Sequence, residues 1–276
     1  MGSIRDAAVA QLSTALLQAR GLTKRFGGLT AVEDLDFEVR AGEILGVIGP
    51  NGAGKSTTFN MIAGAFAPSA GRIEFNDQDL TGVMPHSVAA AGIMRTFQHN
   101  QPFVGMSVRD NVMVGMHSRF RASLWQVFIG APAAARAEAD AQRRADALID
   151  FVGLGEWREA DVSTLSFGQG RLLETARGLA GEPKLMLFDE PAAGLTPSEC
   201  DRLATIIRSI AARGIAVLLI EHDMRFLLAL ATRVLVLNFG RKIAEGLPET
   251  VRADPAVIAA YLGHAAVGHA PGAVGA

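Results

Sequence analysis

The run Gly49-Pro50-Asn51-Gly52-Ala53-Gly54-Lys55-Ser56 follows the apolar stretch Ile44-Leu45-Gly46-Val47-Ile48 and opens a helical pattern at Lys55. A G-x-x-x-x-G-K-[ST] run set between a strand and a helix constrains the fold more than any other feature of the chain. Its glycines let backbone N–H groups turn inward around phosphates, and the helix N-terminus adds the positive end of its dipole. Lys55 is suited to reach β- and γ-phosphates. Ser56 is suited to ligate Mg²⁺ through its hydroxyl, and Thr57 follows it in the same turn.

A loop of this kind needs a parallel sheet behind it, and the chain supplies the strands. Besides Ile44–Ile48, the runs Lys184–Phe188, Ile215–Ile220 and Val234–Leu237 are short and almost wholly apolar, the pattern of strands buried on both faces. Helical segments alternate with them, at Lys55 to about Ala63, Pro197 to about Ala212 and Met224 to about Ala231. The arrangement is α/β. Leu203, Ile206, Ile207 and Ile210 share one face of the second helix, whose start, Thr196-Pro197-Ser198-Glu199, has the N-cap, N1 proline and N3 glutamate of a capping box.

Between about Gln98 and Gly181 strand signals fade, and Ala145, Leu148, Ile149 and Val152 fall at helical spacing. This predicts a helical subdomain, about residues 99–181, inserted into the sheet core. The apolar segment Arg119 to Gly130, with Trp125, Phe128 and Ile129, reads as packing inside that subdomain rather than as a docking surface. Residues 1–13 read as a flexible extension, residues 14–262 as the folded domain, and the Gly- and Ala-rich residues 263–276 as a disordered tail.

The 276 residues, 49% of them hydrophobic, suffice for one large domain. A net charge of −2 without Lys/Arg blocks argues against nucleic acid as a partner. The longest apolar runs, such as Gly214–Ile220 and Phe226–Ala231, fall far short of the roughly 18 residues of a membrane span. Asp6 stands where an acylation motif requires Ser or Thr. Any membrane association is therefore expected through a protein partner. One cysteine, Cys200, forms no internal disulfide and suits the cytosol. His86, His99, His117, His264 and His269 follow no metal-ligand spacing.

Two further elements carry chemistry. Asp189-Glu190 ends the strand Lys184–Phe188, so one carboxylate is placed to hold Mg²⁺ and the next to orient an attacking water. Leu165-Ser166-Phe167-Gly168-Gln169 opens the apparent helix Gln169 to Ala180, offering a hydroxyl and backbone N–H groups at a positive helix end. That is a second anion site, distant in sequence from the first and suited to a phosphate held by another molecule. Alone, Leu-Ser-x-Gly is also an ordinary N-cap.

Taken together, these three motifs resemble the ATP-binding cassette (ABC) ATPases over about residues 14–262. The resemblance implies a P-loop NTPase (RecA-like) core with a mostly parallel sheet, an antiparallel β subdomain and the inserted helical subdomain. It implies ATP and Mg²⁺ as cofactors, and a site completed by Ser166, Phe167, Gly168 and Gln169 of a second subunit. It marks Gln98, in Arg95-Thr96-Phe97-Gln98, as the glutamine that senses Mg²⁺ and water. It marks His222, in Ile220-Glu221-His222-Asp223, as the switch histidine at the γ-phosphate, and Phe26 as the aromatic that stacks on adenine. Three positions depart from the pattern. Phe167 replaces the usual glycine, Thr196 stands where the D-loop usually ends in Asp or Asn, and Leu172 stands where many relatives carry Arg.

Within the family, Arg95-Thr96-Phe97-Gln98, Met106 through Gly115, Pro191-Ala192-Ala193-Gly194-Leu195 and Asp254 through Gly263 resemble the longer ATPase of bacterial branched-chain, or hydrophobic, amino-acid importers. That group implies a second, non-identical ATPase, two integral membrane subunits, a periplasmic solute-binding protein, and a peripheral place on the cytoplasmic face of the inner membrane. The rival is a non-transport ABC ATPase of DNA repair, chromosome structure or translation. Such proteins carry sustained heptads, zinc-binding inserts or a second cassette, none of which is visible in the sequence.

Overall fold

The computed structural model describes residues 15–96, 102–116 and 132–267. Gln98, His99, His117, the segment Arg119 to Gly130, the N-terminal extension and the end of the tail lie outside the described residues.

Two sheets form the framework. Strands β1 (Ala15–Phe26), β2 (Leu29–Arg40), β4 (Ala70–Phe75) and β5 (Gln78–Asp79) make an antiparallel sheet in the order β2-β1-β4-β5. Strands β3 (Ile44–Ile48), β6 (Ile93–Arg95), β7 (Leu185–Asp189), β8 (Ala216–Ile220), β9 (Arg233–Asn238) and β10 (Arg241–Gly246) make the second, in the order β10-β9-β3-β8-β7-β6. All its pairings are parallel except β9 with β10.

The alternation of side chains along a strand decides how these strands are buried. Ile44, Ile48, Met186, Phe188, Val217, Leu219, Val234 and Val236 enter a core shared with helices, whereas Leu45, Val47, Leu185, Leu187, Leu218, Ile220, Leu235 and Leu237 enter a core shared with the antiparallel sheet. Both faces are thus apolar, which is why the sequence shows continuous runs rather than alternation. The strands of the antiparallel sheet are half-buried and interrupted by register shifts in β1, so they left no clean periodicity.

Nine helices occur among the described residues: α1 (Lys55–Ile62), α2 (Pro85–Ala91), α3 (Val108–Gly115), α4 (Pro132–Phe151), α5 (Phe167–Ala180), α6 (Pro197–Ala212), α7 (Met224–Leu230), α8 (Pro248–Ala253) and α9 (Pro255–Val267). The region from α3 to α5 holds no named strand among the described residues. Ala145, Ile149, Leu172 and Ala176 are buried together there, with Val108 and Val112. Helix α6 has the bounds and the capping box its sequence predicts. Its Leu203, Ile206, Ile207 and Ile210 are all buried, and each full burial contributes about 1.5–3 kcal/mol.

Two boundaries differ from expectation. Helix α5 begins at Phe167 rather than Gln169, because Ser166 is its N-cap and Gly168 therefore lies inside the first turn. Helix α9 runs to Val267, past the domain end expected at residue 262, since its Ala-rich sequence suits a helix as well as a tail. No helix among the described residues is long and apolar enough to cross a membrane.

Candidate functional site

The strand order β3-β8-β7-β6 carries four loops to one edge of the parallel sheet, where ligands of open α/β sheets bind. Gly49 follows β3, Glu221-His222 follows β8, Glu190 follows β7, and Thr96 follows β6. Because β8 lies between β3 and β7, His222 stands between the Gly49–Ser56 loop and Glu190.

The loop closes tightly on its neighbours. Gly49 has φ 152°, and a Cβ there would lie 2.1 Å from the Leu237 carbonyl oxygen, so the first position admits only glycine. Lys55 is buried, and its Nζ donates to the Gly49 carbonyl at 2.6 Å and the Pro50 carbonyl at 3.0 Å. Burial holds this ammonium below its ordinary range, while the carboxylates of Glu190 and Asp189 pull it upward. An ammonium curled onto its own loop is free to extend toward an anion.

Asn51, Gly52, Ala53, Gly54, Lys55, Ser56 and Thr57 line a groove of about 460 Å³ together with Phe26, Leu29, Thr30, Ala31, His222 and Phe239. Phe26 is 47% exposed, and its ring meets Phe66 edge-on at 5.4 Å between centroids, with the Lys24 ammonium 5.2 Å from its own. It is held from one side and offers a face to the groove. Leu29 and Phe239, both largely exposed, add apolar wall that the sequence motifs did not mark.

Asp189 and Glu190 are adjacent and differently placed. Asp189 is the last residue of β7, paired with Ile220, and is buried. Its Oδ2 accepts from Arg95 Nη2 at 2.6 Å, and the same guanidinium donates through Nη1 to Asn60 Oδ1 at 2.6 Å. Asp189 Oδ1 is buried with no hydrogen-bond partner among the described residues. Glu190 adopts a left-handed backbone, φ 51°, uncommon for a residue with a Cβ and typical of functional turns. Its Oε1 lies 2.7 Å from Nε2 of His222, whose ring is half exposed.

These groups suit a hard cation bound chiefly through oxygen and water. The unpartnered Asp189 Oδ1 and the hydroxyl of Ser56 at the start of α1 are oxygen donors, the class Mg²⁺ takes. Among the described residues no three His, Cys, Asp or Glu side chains gather as a metal cluster.

Sequence motifs did not assign Arg95, Asn60 or Glu221 to the site. Glu221 is buried, and its carboxylate accepts from the amides of Ala192 at 2.6 Å and His222 at 3.1 Å. An acid ending a wholly apolar strand was the signal that could have found it.

Ser166, Phe167, Gly168 and Gln169 stand apart, since none is among the residues lining the groove. Ser166 and Gln169 form a reciprocal cap: Gln169 N donates to Ser166 Oγ at 3.2 Å and Ser166 N to Gln169 Oε1 at 2.8 Å. The serine accepts in that cap, which leaves its hydroxyl proton for another acceptor. Phe167 is 60% exposed, with the Arg171 guanidinium 5.1 Å from its centroid and its ring close over Gly194. Thr196, at the end of the same loop as Gly194, caps α6: its N and Oγ1 both donate to Glu199 Oε2, at 2.8 and 2.7 Å.

Comparisons with known proteins agree with this geometry. Residues 32–193 match the family described as ABC transporter, and residues 241–267 match the one described as branched-chain amino acid ATP-binding cassette transporter. The chain is 40% identical over 255 residues to the high-affinity branched-chain amino acid transport ATP-binding protein LivG of Escherichia coli, a match covering 92% of this chain and 100% of that one. It is 38% identical over 255 residues to the corresponding protein BraF of Pseudomonas aeruginosa, with the same coverage. Among solved structures, the ADP conformation of an ATP-binding cassette of an ABC transporter superposes with a TM-score of 0.79 at 30% identity, over 91% of this chain and 100% of that one.

Proposed function

The chain belongs to the ABC transporter family as an ATP-binding cassette ATPase, and from that premise we propose that it drives an importer of branched-chain or other hydrophobic amino acids. Support for the solute class comes from the relatives' printed transport function and from the C-terminal match at residues 241–267. The assembly we propose has a second, non-identical ATPase, two integral membrane subunits and a periplasmic binding protein. This chain sits on the cytoplasmic face of the membrane.

The observation that carries the mechanism is the 2.7 Å contact between Glu190 Oε1 and His222 Nε2 beside the Gly49–Ser56 loop. In the proposed mechanism Phe26 stacks on the base, the amides from Asn51 to Thr57 wrap the phosphates, and Lys55 leaves the Gly49 and Pro50 carbonyls for the β- and γ-phosphates. Ser56, Asp189 and Gln98 would hold Mg²⁺, which would offset phosphate charge when bound. Glu190 turns from His222 to orient and polarise the attacking water, and His222 contacts the γ-phosphate.

Ser166, Gly168 and Gln169 of one subunit, with Phe167 between them, cover the γ-phosphate held by the other. ATP then binds the closed dimer more tightly than the open one, and that difference in affinity moves the membrane subunits. Hydrolysis removes the difference and resets them.

Reconstitution of the chain with its co-purifying membrane subunits in vesicles, with a binding protein supplied outside, tests this function. Leucine uptake that requires internal ATP is the expected result. Vesicles that hydrolyse ATP without accumulating any hydrophobic amino acid would overturn the solute assignment.

A further inference from the structure

Glu221 is an acid only 4% exposed, at a position where the preceding five residues are all apolar. An ionised carboxylate there is costly unless its lone pairs are satisfied. Burial pushes it above the ordinary carboxylate range, backbone amides of Ala192, His222 and Asp223 pull it down, and the neighbouring Glu190 charge pushes it up again. An apolar residue would fill the volume without these conflicts. The carboxylate must therefore be explained by what it joins.

It joins two loops. Its Oε1 accepts from the amide of Ala192, two residues beyond Glu190, and its Oε2 from the amide of His222. The two loops are also linked by the amide of Glu190, which donates to the Ile220 carbonyl at 2.9 Å, and by the Glu190–His222 side-chain contact. The backbone pair lies within the sheet edge, and the side-chain pair must break when Glu190 turns to water. We propose that Glu221 is a positioning residue, which ties the Ala192 loop to the His222 loop so that the backbones carrying Glu190 and His222 stay in register after their side-chain contact breaks.

This rests on the roles given above to Glu190 and His222, and the tests separate the two. Glu221→Gln keeps the size and presents an N–H₂ group to one of the amides. In the assembled transporter it is expected to lower kcat about 10- to 100-fold, the scale of a small misplacement of reacting groups. KM for ATP should stay within about twofold, because Glu221 is not among the groove-lining residues. Amide exchange should accelerate in the variant at whichever of Ala192 and His222 faces the N–H₂ group. In single turnovers on a His222→Ala background, adding Glu221→Gln should cost less than about twofold more.

Wild-type kcat in Glu221→Gln would overturn the proposal, and so would a fall in kcat with both amides as protected as before. Full independence of the two substitutions would also overturn it. Normal hydrolysis by His222→Ala alone would sink the reading of the site itself, and this proposal with it.

Discussion

Arg95 Nη2 lies 2.6 Å from Asp189 Oδ2, an ion pair whose carboxylate is 1% exposed and whose guanidinium is 18% exposed. The arginine also holds Asn60 on α1, so it joins the end of β6 to both α1 and the buried acid. Asp189 thereby keeps one oxygen neutralised and the other without a partner among the described residues.

Removing Arg95 leaves a buried carboxylate uncompensated, which costs about 3–5 kcal/mol in such pairs. Arg95→Gln is expected to lower stability on that scale in chelator, and Mg²⁺ with ATP should restore more of it than in the wild type. Urea melts with chelator and with Mg²⁺-ATP check this. Equal stabilisation of both proteins would contradict it.

Phe26 presents an exposed ring in the groove, steadied by Phe66. Stacking of a base on an aromatic contributes about 1–3 kcal/mol. Phe26→Ala should raise the ATP dissociation constant about 5- to 150-fold without changing the maximal rate by more than about twofold. An unchanged affinity by titration would remove Phe26 from the base site.

A Cβ on Gly168 would come within 2.1 Å of Glu199 Oε1, and that carboxylate is committed to capping α6 through Thr196. Gly168→Ala must therefore displace the cap, a loss of about 1 kcal/mol. Because α6 follows the loop that carries Gly194 under Phe167, ATP-dependent association of subunits should weaken while ATP binding by the monomer stays unchanged. Sedimentation with and without ATP separates the two effects. Weakened ATP binding by the monomer would contradict the assignment of Gly168 to the other subunit's site.

Burial raises the Glu174 carboxyl above its ordinary value of 4.5, against the opposing pull of Arg171 and Arg177. The folded state therefore binds this proton more tightly than the unfolded state. Stability contributed by the group is present below pH 4.5 and declines as pH rises through the raised folded value. Relative to Glu174→Gln, the wild type should lose stability between pH 4.5 and neutrality. A gap that changes in the opposite direction in paired thermal melts would refute the shift.

Strands β3, β7, β8 and β9 were legible because burial on both faces makes each an unbroken apolar run, and α6 because its cap and stripe agree. Strands β1 and β2 were not, since bulges break their alternation; the antiparallel sheet was expected only through family resemblance. The Gly49–Ser56 run could be read from spacing alone, and it leads from β3 into α1 as its pattern requires. Arg95 and Asn60 could not, because each matters through a partner that only the sheet order brings near: Asn60 lies 35 positions from Arg95 and Arg95 94 from Asp189. Glu221 showed as an acid ending an apolar strand, but its partner Ala192, 29 positions away, did not. The helix start at Phe167 was missed because a serine that caps and a serine that binds phosphate leave the same trace in sequence.

Activation of water by Glu190, released from His222, at an ATP site shared by two subunits carries the proposed function. Its most direct test is ATP turnover by Glu190→Gln measured beside sedimentation of the same protein with its ATPase partner in Mg²⁺-ATP. Turnover should fall at least about 100-fold, with ATP affinity kept and the closed dimer accumulating because it cannot reset. Hydrolysis at the wild-type rate, or loss of turnover with no gain in the ATP-bound dimer, would contradict it.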